Sequence, residues 1–69
     1  MKWTKRMLGD CQYAWSGQYF IGQSAENRVF YLFKDNIGLN VYTSLKRAIK
    51  AAEEDSKKLI LIRPRKRNL

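Results

Sequence analysis

The sequence predicts an α+β fold: a small antiparallel sheet of three to five strands, with one helix packed on one face and a C-terminal strand. Three observations carry this. Short runs of β-branched and aromatic residues recur between turn signals in the first 43 residues. A single amphipathic helical pattern follows at about 44–55. A Leu-Ile-Leu-Ile run then precedes Pro64, the only proline. Two layers around one core is the expected solution for 69 residues. Residues 1–63 read as one sheet-plus-helix domain and 64–69 as a basic C-terminal tail.

The elements follow in order. In residues 2–8, Trp3 and Lys5 share one face of an extended chain, and Thr4 and Arg6 the other, which suits a first strand. Gly9-Asp10 is a turn signal, Gln12–Trp15 a short strand or irregular stretch, and Ser16-Gly17 another turn. Gln18–Ser24 is rich in strand formers, with Tyr19 and Ile21 opposite Phe20. Ala25-Glu26-Asn27 joins it to Arg28–Lys34 as a hairpin. That second run is apolar on both faces, which predicts a strand at the sheet's centre. Asp35-Asn36 and Gly38 mark the next turn, and Leu39–Thr43 a further strand.

Ser44 is a good helix N-cap, because its hydroxyl accepts from an early helical N–H. Leu45, Ala48, Ile49 and Ala52 recur at the spacing of one buried helical face. Asp55-Ser56 is the expected end of the helix. Lys58–Arg63 is then the expected last strand, stopped by Pro64.

Composition excludes several functions. The apolar fraction, 45%, is too high for a disordered tail of this charge. The longest apolar runs, Val29–Phe33 and Leu59–Ile62, fall far below the roughly 20 residues of a membrane span. The opening MKWTKRML holds no apolar stretch of signal-peptide length, so a cytoplasmic location is expected, that of a host cell if the chain is phage-encoded. One cysteine, Cys11, makes no internal disulfide, and with no histidine a structural zinc site lacks ligands. Nor is there a histidine for general base work near neutral pH. Cys11 has no evident partner dyad, Ser24 and Ser44 have no base, and the four glycines make no phosphate loop. Glu53, Glu54 and Asp55 read as a solvated helix end. The chain is therefore expected to be no enzyme and to use no cofactor or metal.

Charge points to a partner instead. Fourteen Lys and Arg against six Asp and Glu give a net charge of +8. Residues 57–69 carry six of those cations (Lys57, Lys58, Arg63, Arg65, Lys66 and Arg67) and no acid. Such runs bind phosphate backbones in a salt-dependent way. Lys46, Arg47 and Lys50 lie in the helix's first half, where its dipole prefers acids, and the acids lie where it prefers bases. A positive patch facing an anion is the functional reading; an unoptimised solvated face is the structural one. Nine aromatic residues form a third element. One helix covers one sheet face, so Phe20, Tyr31 and Phe33 are candidates for an uncovered surface. Such a surface stacks bases, docks on a protein, closes a homodimer, or is covered by the N-terminal segment.

Gly17-Gln18-Tyr19-Phe20-Ile21, Val29-Phe30-Tyr31-Leu32-Phe33 and the stretch from Tyr42 through Ser44 to Ala52 together resemble the three-strands-plus-helix DNA-binding domains. These are the arm-type domain of phage tyrosine integrases and the plant ethylene-response-factor type domain. The resemblance covers about residues 17–54. It implies a sheet face in the major groove, with Gln18, Gln23, Arg28 and Lys34 at groove-contact positions. The sheet is more aromatic than in those families, and a strand is added after the helix. The same skeleton is similar to very small phage-encoded accessory proteins, some of which inhibit host machinery such as RNA polymerase.

Two functions are thus expected. One is a small, non-enzymatic basic accessory protein of phage type that binds DNA or RNA through a basic patch and tail. Its phosphate contacts are Lys46, Arg47, Lys50, Arg63, Arg65, Lys66 and Arg67, and its base contacts Gln18, Gln23, Arg28 and Lys34. The other is an inhibitor or adaptor that docks on an acidic host protein, such as RNA polymerase or a defence complex, through Phe20, Tyr31 and Phe33 or by strand addition.

Overall fold

The computed structural model describes the backbone of residues 1–66 and the side chains of residues 1–57. Five strands, β1 (Thr4–Leu8), β2 (Cys11–Ser16), β3 (Tyr19–Gln23), β4 (Phe30–Lys34) and β5 (Ile37–Tyr42), precede one helix, α1 (Leu45–Lys66). The strands form one antiparallel meander in the order β1-β2-β3-β4-β5. This is the expected α+β architecture, at the upper end of the expected strand number.

The turns follow from their residues. Gly9 and Gly17 open the two-residue loops after β1 and β2 with φ of 65° and 58°. A II′-type hairpin wants glycine there. Asp35 and Asn36 join β4 to β5 with φ of 51° and 69°, the pair of left-handed residues of a I′ turn. The β3–β4 loop is closed by Ser24 N–H donating to the Val29 carbonyl at 2.8 Å and Arg28 N–H donating to the Ser24 carbonyl at 2.9 Å.

The core lies between the sheet and α1. Tyr19, Ile21, Phe30 and Leu32 point from β3 and β4 toward Ala48 and Ala52 of α1, and all six are buried. Trp3, Tyr42, Leu45, Ile49 and Ala51 pack around them. The alternation of side chains along β3 and β4 sends these residues to one face and their neighbours to the other. Ser44 caps α1, its Oγ accepting from the Arg47 N–H at 3.2 Å.

Three expectations are corrected. The strand predicted over Lys58–Arg63 is helix, because α1 runs from Leu45 to Lys66. A short apolar run does not by itself distinguish strand from helix, and no glycine or proline stands between Ser44 and Arg63 to stop the helix at Asp55-Ser56. With the helix extended, Glu53, Glu54 and Asp55 occupy its middle, so they no longer oppose its C-terminal dipole. Finally, β4 is interior but not central; β3 is the middle strand. Among the described residues no helix is long and apolar enough to cross a membrane.

Candidate functional site

Among the described residues, no element covers the face of the sheet away from α1. Strand register places Arg6, Tyr13, Gly22, Tyr31 and Val41 in one row across it. Thr4, Trp15, Phe20, Phe33 and Gly38 form the adjacent row. Trp15, Phe20 and Tyr31 are 38%, 42% and 37% exposed, values high for large aromatics inside a sheet.

Two glycines lie on this face. Gly22 sits opposite both Tyr13 and Tyr31. The Phe20 ring leans over it, so closely that a Cβ on Gly22 would lie 3.1 Å from Phe20 Cε2. Phe33 lies likewise against Gly38, its cross-strand partner, at 3.8 Å from the position of a Cβ. The missing side chain at Gly22 thus makes room for the Phe20 ring, whereas at Gly38 the distance is an ordinary van der Waals contact. The rings form a continuous line. Trp15 stacks on Tyr13 with centroids 5.8 Å apart and planes 19° apart. Tyr13 lies 6.1 Å from Phe20, and Phe20 lies 6.3 Å from Phe33. The Arg6 guanidinium stands 6.0 Å from the Trp15 ring, within cation–π range. Beside the line, Leu8, Cys11, Tyr13, Phe20 and Gly22 line a mostly apolar groove of about 260 Å³.

Neither row of strand residues on this face holds an acid, and the one carboxylate that borders it is that of Asp10, whose Oδ1 lies 3.9 Å from Cys11 Sγ at the end of the groove. Asp10, Glu26 and Asp35 occupy turns, and the other three acids are on α1. Asp10 pairs with Arg28 at 3.5 Å at the edge of the sheet.

Two acids of α1, Glu53 and Asp55, turn toward the sheet's other face, against the expectation of a solvated helix end. Glu53 Oε2 accepts from Trp3 Nε1–H at 3.2 Å. Asp55 Oδ2 accepts from the Tyr19 hydroxyl at 2.7 Å and pairs with Lys34 Nζ at 3.6 Å. Burial and the Asp55 carboxylate together push the Tyr19 phenol up to about 12. Only Glu54 of the three is exposed.

The expected site residues fall into separate groups. Phe20, Tyr31 and Phe33 share the open face. The sequence reading missed Tyr13, Trp15 and Arg6 beside them. Their i, i+2 spacing in β2 and β1 was the available signal. Lys46, Arg47 and Lys50 are exposed on α1, behind the sheet. Gln23 serves structure, its Oε1 accepting from the Gln12 N–H at 2.9 Å and its Nε2 donating to the Arg28 carbonyl at 3.2 Å. Arg28 donates to the Asp10 carbonyl at 3.1 Å as well as pairing with that residue's carboxylate. Lys34 lies on the helix side with Asp55, and Gln18 in the β2–β3 turn. The side chains of Arg63, Arg65 and Lys66, and all of Arg67, lie outside the described residues.

No family model matches the chain, and no curated protein or solved structure is similar to it.

Proposed function

We propose that this chain is a small, non-enzymatic accessory protein that binds single-stranded nucleic acid, DNA or RNA, on the open aromatic face. One observation supports the reading: a continuous line of four rings, edged by Arg6 and with no acid in its two rows, on a sheet face that nothing covers among the described residues. Nucleobases offer flat π-faces to such rings, and stacking contributes about 1–3 kcal/mol per base. Unpaired bases reach a sheet surface that a duplex keeps from them. Arg6 meets the backbone or stacks on a base, and the net charge of +8 draws the polyanion in. Lys46, Arg47 and Lys50 belong to the opposite side, so they add attraction at a distance rather than contacts to the stacked strand.

A partner protein is the competing occupant, and the apolar groove beside Phe20 favours it, because aromatic and apolar side chains also anchor protein interfaces. Fluorescence anisotropy of a labelled single-stranded oligonucleotide, read at about 0.15 M salt where distant charges are screened, separates the two. Phe20→Ala is expected to weaken binding by about tenfold, in line with the loss of one stacked base. Binding that only Lys and Arg substitutions affect would overturn the aromatic assignment.

A further inference from the structure

The spacing of the rings on the open face sets the form in which a strand fits them. Neighbouring bases of a stacked strand follow one another at about 3.4 Å. The ring centroids of Trp15 and Tyr13, of Tyr13 and Phe20, and of Phe20 and Phe33 are 5.8, 6.1 and 6.3 Å apart. Bases seated one to a ring are therefore held nearly twice as far apart as bases in a stack.

The orientation of the rings acts in the same sense. Bases that stack on one another are parallel. The Trp15 and Tyr13 planes differ by 19°, but the next two steps turn by 37° and 47°. A base parallel to the Phe20 ring is then tilted against its neighbours on both sides. The line of rings also changes direction. Trp15 and Tyr13 follow one another along β2, whereas Tyr13, Phe20 and Phe33 lie on three adjacent strands. A rigid stack of bases does not follow that corner. A strand whose bases have separated does.

We propose that the open face holds its single strand stretched and unstacked, one base to each of the four rings. The ligand class is then a four-nucleotide segment of extended single-stranded nucleic acid. This rests on the stacking reading above, and adds to it the conformation and length of what is bound. Each base exchanges a neighbouring base for a protein ring, so its flat face is not left in water when the strand is drawn out. The Arg6 guanidinium, 6.0 Å from the Trp15 ring, stands at one end of the line, where it meets the phosphates of the terminal nucleotide. The net charge of +8 suits a polyanion along the rest of the path.

Two measurements on the whole chain test this. Stacked adenines give a couplet in near-UV circular dichroism that disappears when neighbouring bases separate. Saturating a single-stranded adenine tetranucleotide with the protein is expected to remove most of that couplet. Fluorescence anisotropy of labelled thymine runs, two to eight nucleotides long, gives affinity against length. The expected curve rises steeply to four nucleotides and is nearly flat beyond. A stacked strand needs about six nucleotides to cover the same three steps, so a steep rise that continues to six overturns the proposal. An adenine couplet that persists at saturation overturns it too. Phe20→Ala separates this failure from that of the stacking reading. Phe20 is 42% exposed, and far-UV circular dichroism checks that the variant is folded. If the substitution weakens binding by about tenfold while the couplet persists, the stretched form alone is overturned. If no run binds, or binding ignores the substitution, the stacking reading fails and the stretched form with it.

Discussion

Tyr19 joins the two layers through a polar contact inside an otherwise apolar core. Its ring is 2% exposed, and its hydroxyl reaches Asp55 of α1 at 2.7 Å. Lys34 completes the group, pairing with Asp55 and lying 5.9 Å from the Tyr19 ring. The phenol keeps its proton to about 12 in the folded chain, whereas an unfolded tyrosine loses it near its ordinary value of 10.0. Between those values the unfolded state holds fewer protons than the folded one, so stability falls as pH rises from 10 toward 12. Below pH 10 Tyr19 contributes no slope. Urea denaturation at successive pH values is expected to show a steeper alkaline loss for the native sequence than for Tyr19→Phe. The tyrosinate absorbance should carry a step near pH 12 that the substitution removes. None of this network was legible from the acids alone. Three adjacent carboxylates look solvated when nothing shows that the helix continues and that Trp3 and Tyr19 face two of them.

At the scale of elements, turns and helix start were readable because each rests on local chemistry. Gly9, Gly17 and the Asp35-Asn36 pair adopt the left-handed backbone that hairpin turns require. Ser44 caps α1 with its own hydroxyl. Ser44→Ala is expected to cost about 1 kcal/mol, read as a lower urea midpoint with an unchanged slope. The end of the helix was not readable. Leu59–Ile62 satisfies either a strand or a helix, and Asp55-Ser56 is only a weak stop inside a run of helix formers. The extension also removes an apparent conflict with the dipole. The acids now lie mid-helix, and Arg63, Arg65 and Lys66 fall near its C-terminus, where cations are favoured. Lys46, Arg47 and Lys50 remain unfavourably placed for the dipole in the first turns, which hold no acid.

The described residues form a two-layer protein whose sheet is bare on its outer side. That asymmetry was foreseeable. Phe30 and Leu32 alternate with Tyr31 and Phe33, and a single helix hides only one set. The composition of the bare face was less so, since Tyr13 and Trp15 join it only through the register of β2 with β3. Glycine shapes part of it, because Gly22 leaves room for the Phe20 ring to lie over the sheet. Charge is distributed to match. The acids sit at turns and on α1, so Arg6 is the charged residue in the two rows of the aromatic face, with the Arg28–Asp10 pair against Cys11 at the end of its groove.

The most direct measurement is the fluorescence of Trp15 in a Trp3→Phe background, titrated with a single-stranded oligonucleotide and with a duplex of the same sequence at about 0.15 M salt. A stacked base quenches the indole. The account expects saturable quenching by the single strand, much weaker quenching by the duplex, and a titration shifted to about tenfold higher oligonucleotide concentration by Phe20→Ala. Equal quenching by strand and duplex, or binding detected by another probe while Trp15 stays unchanged, would contradict it.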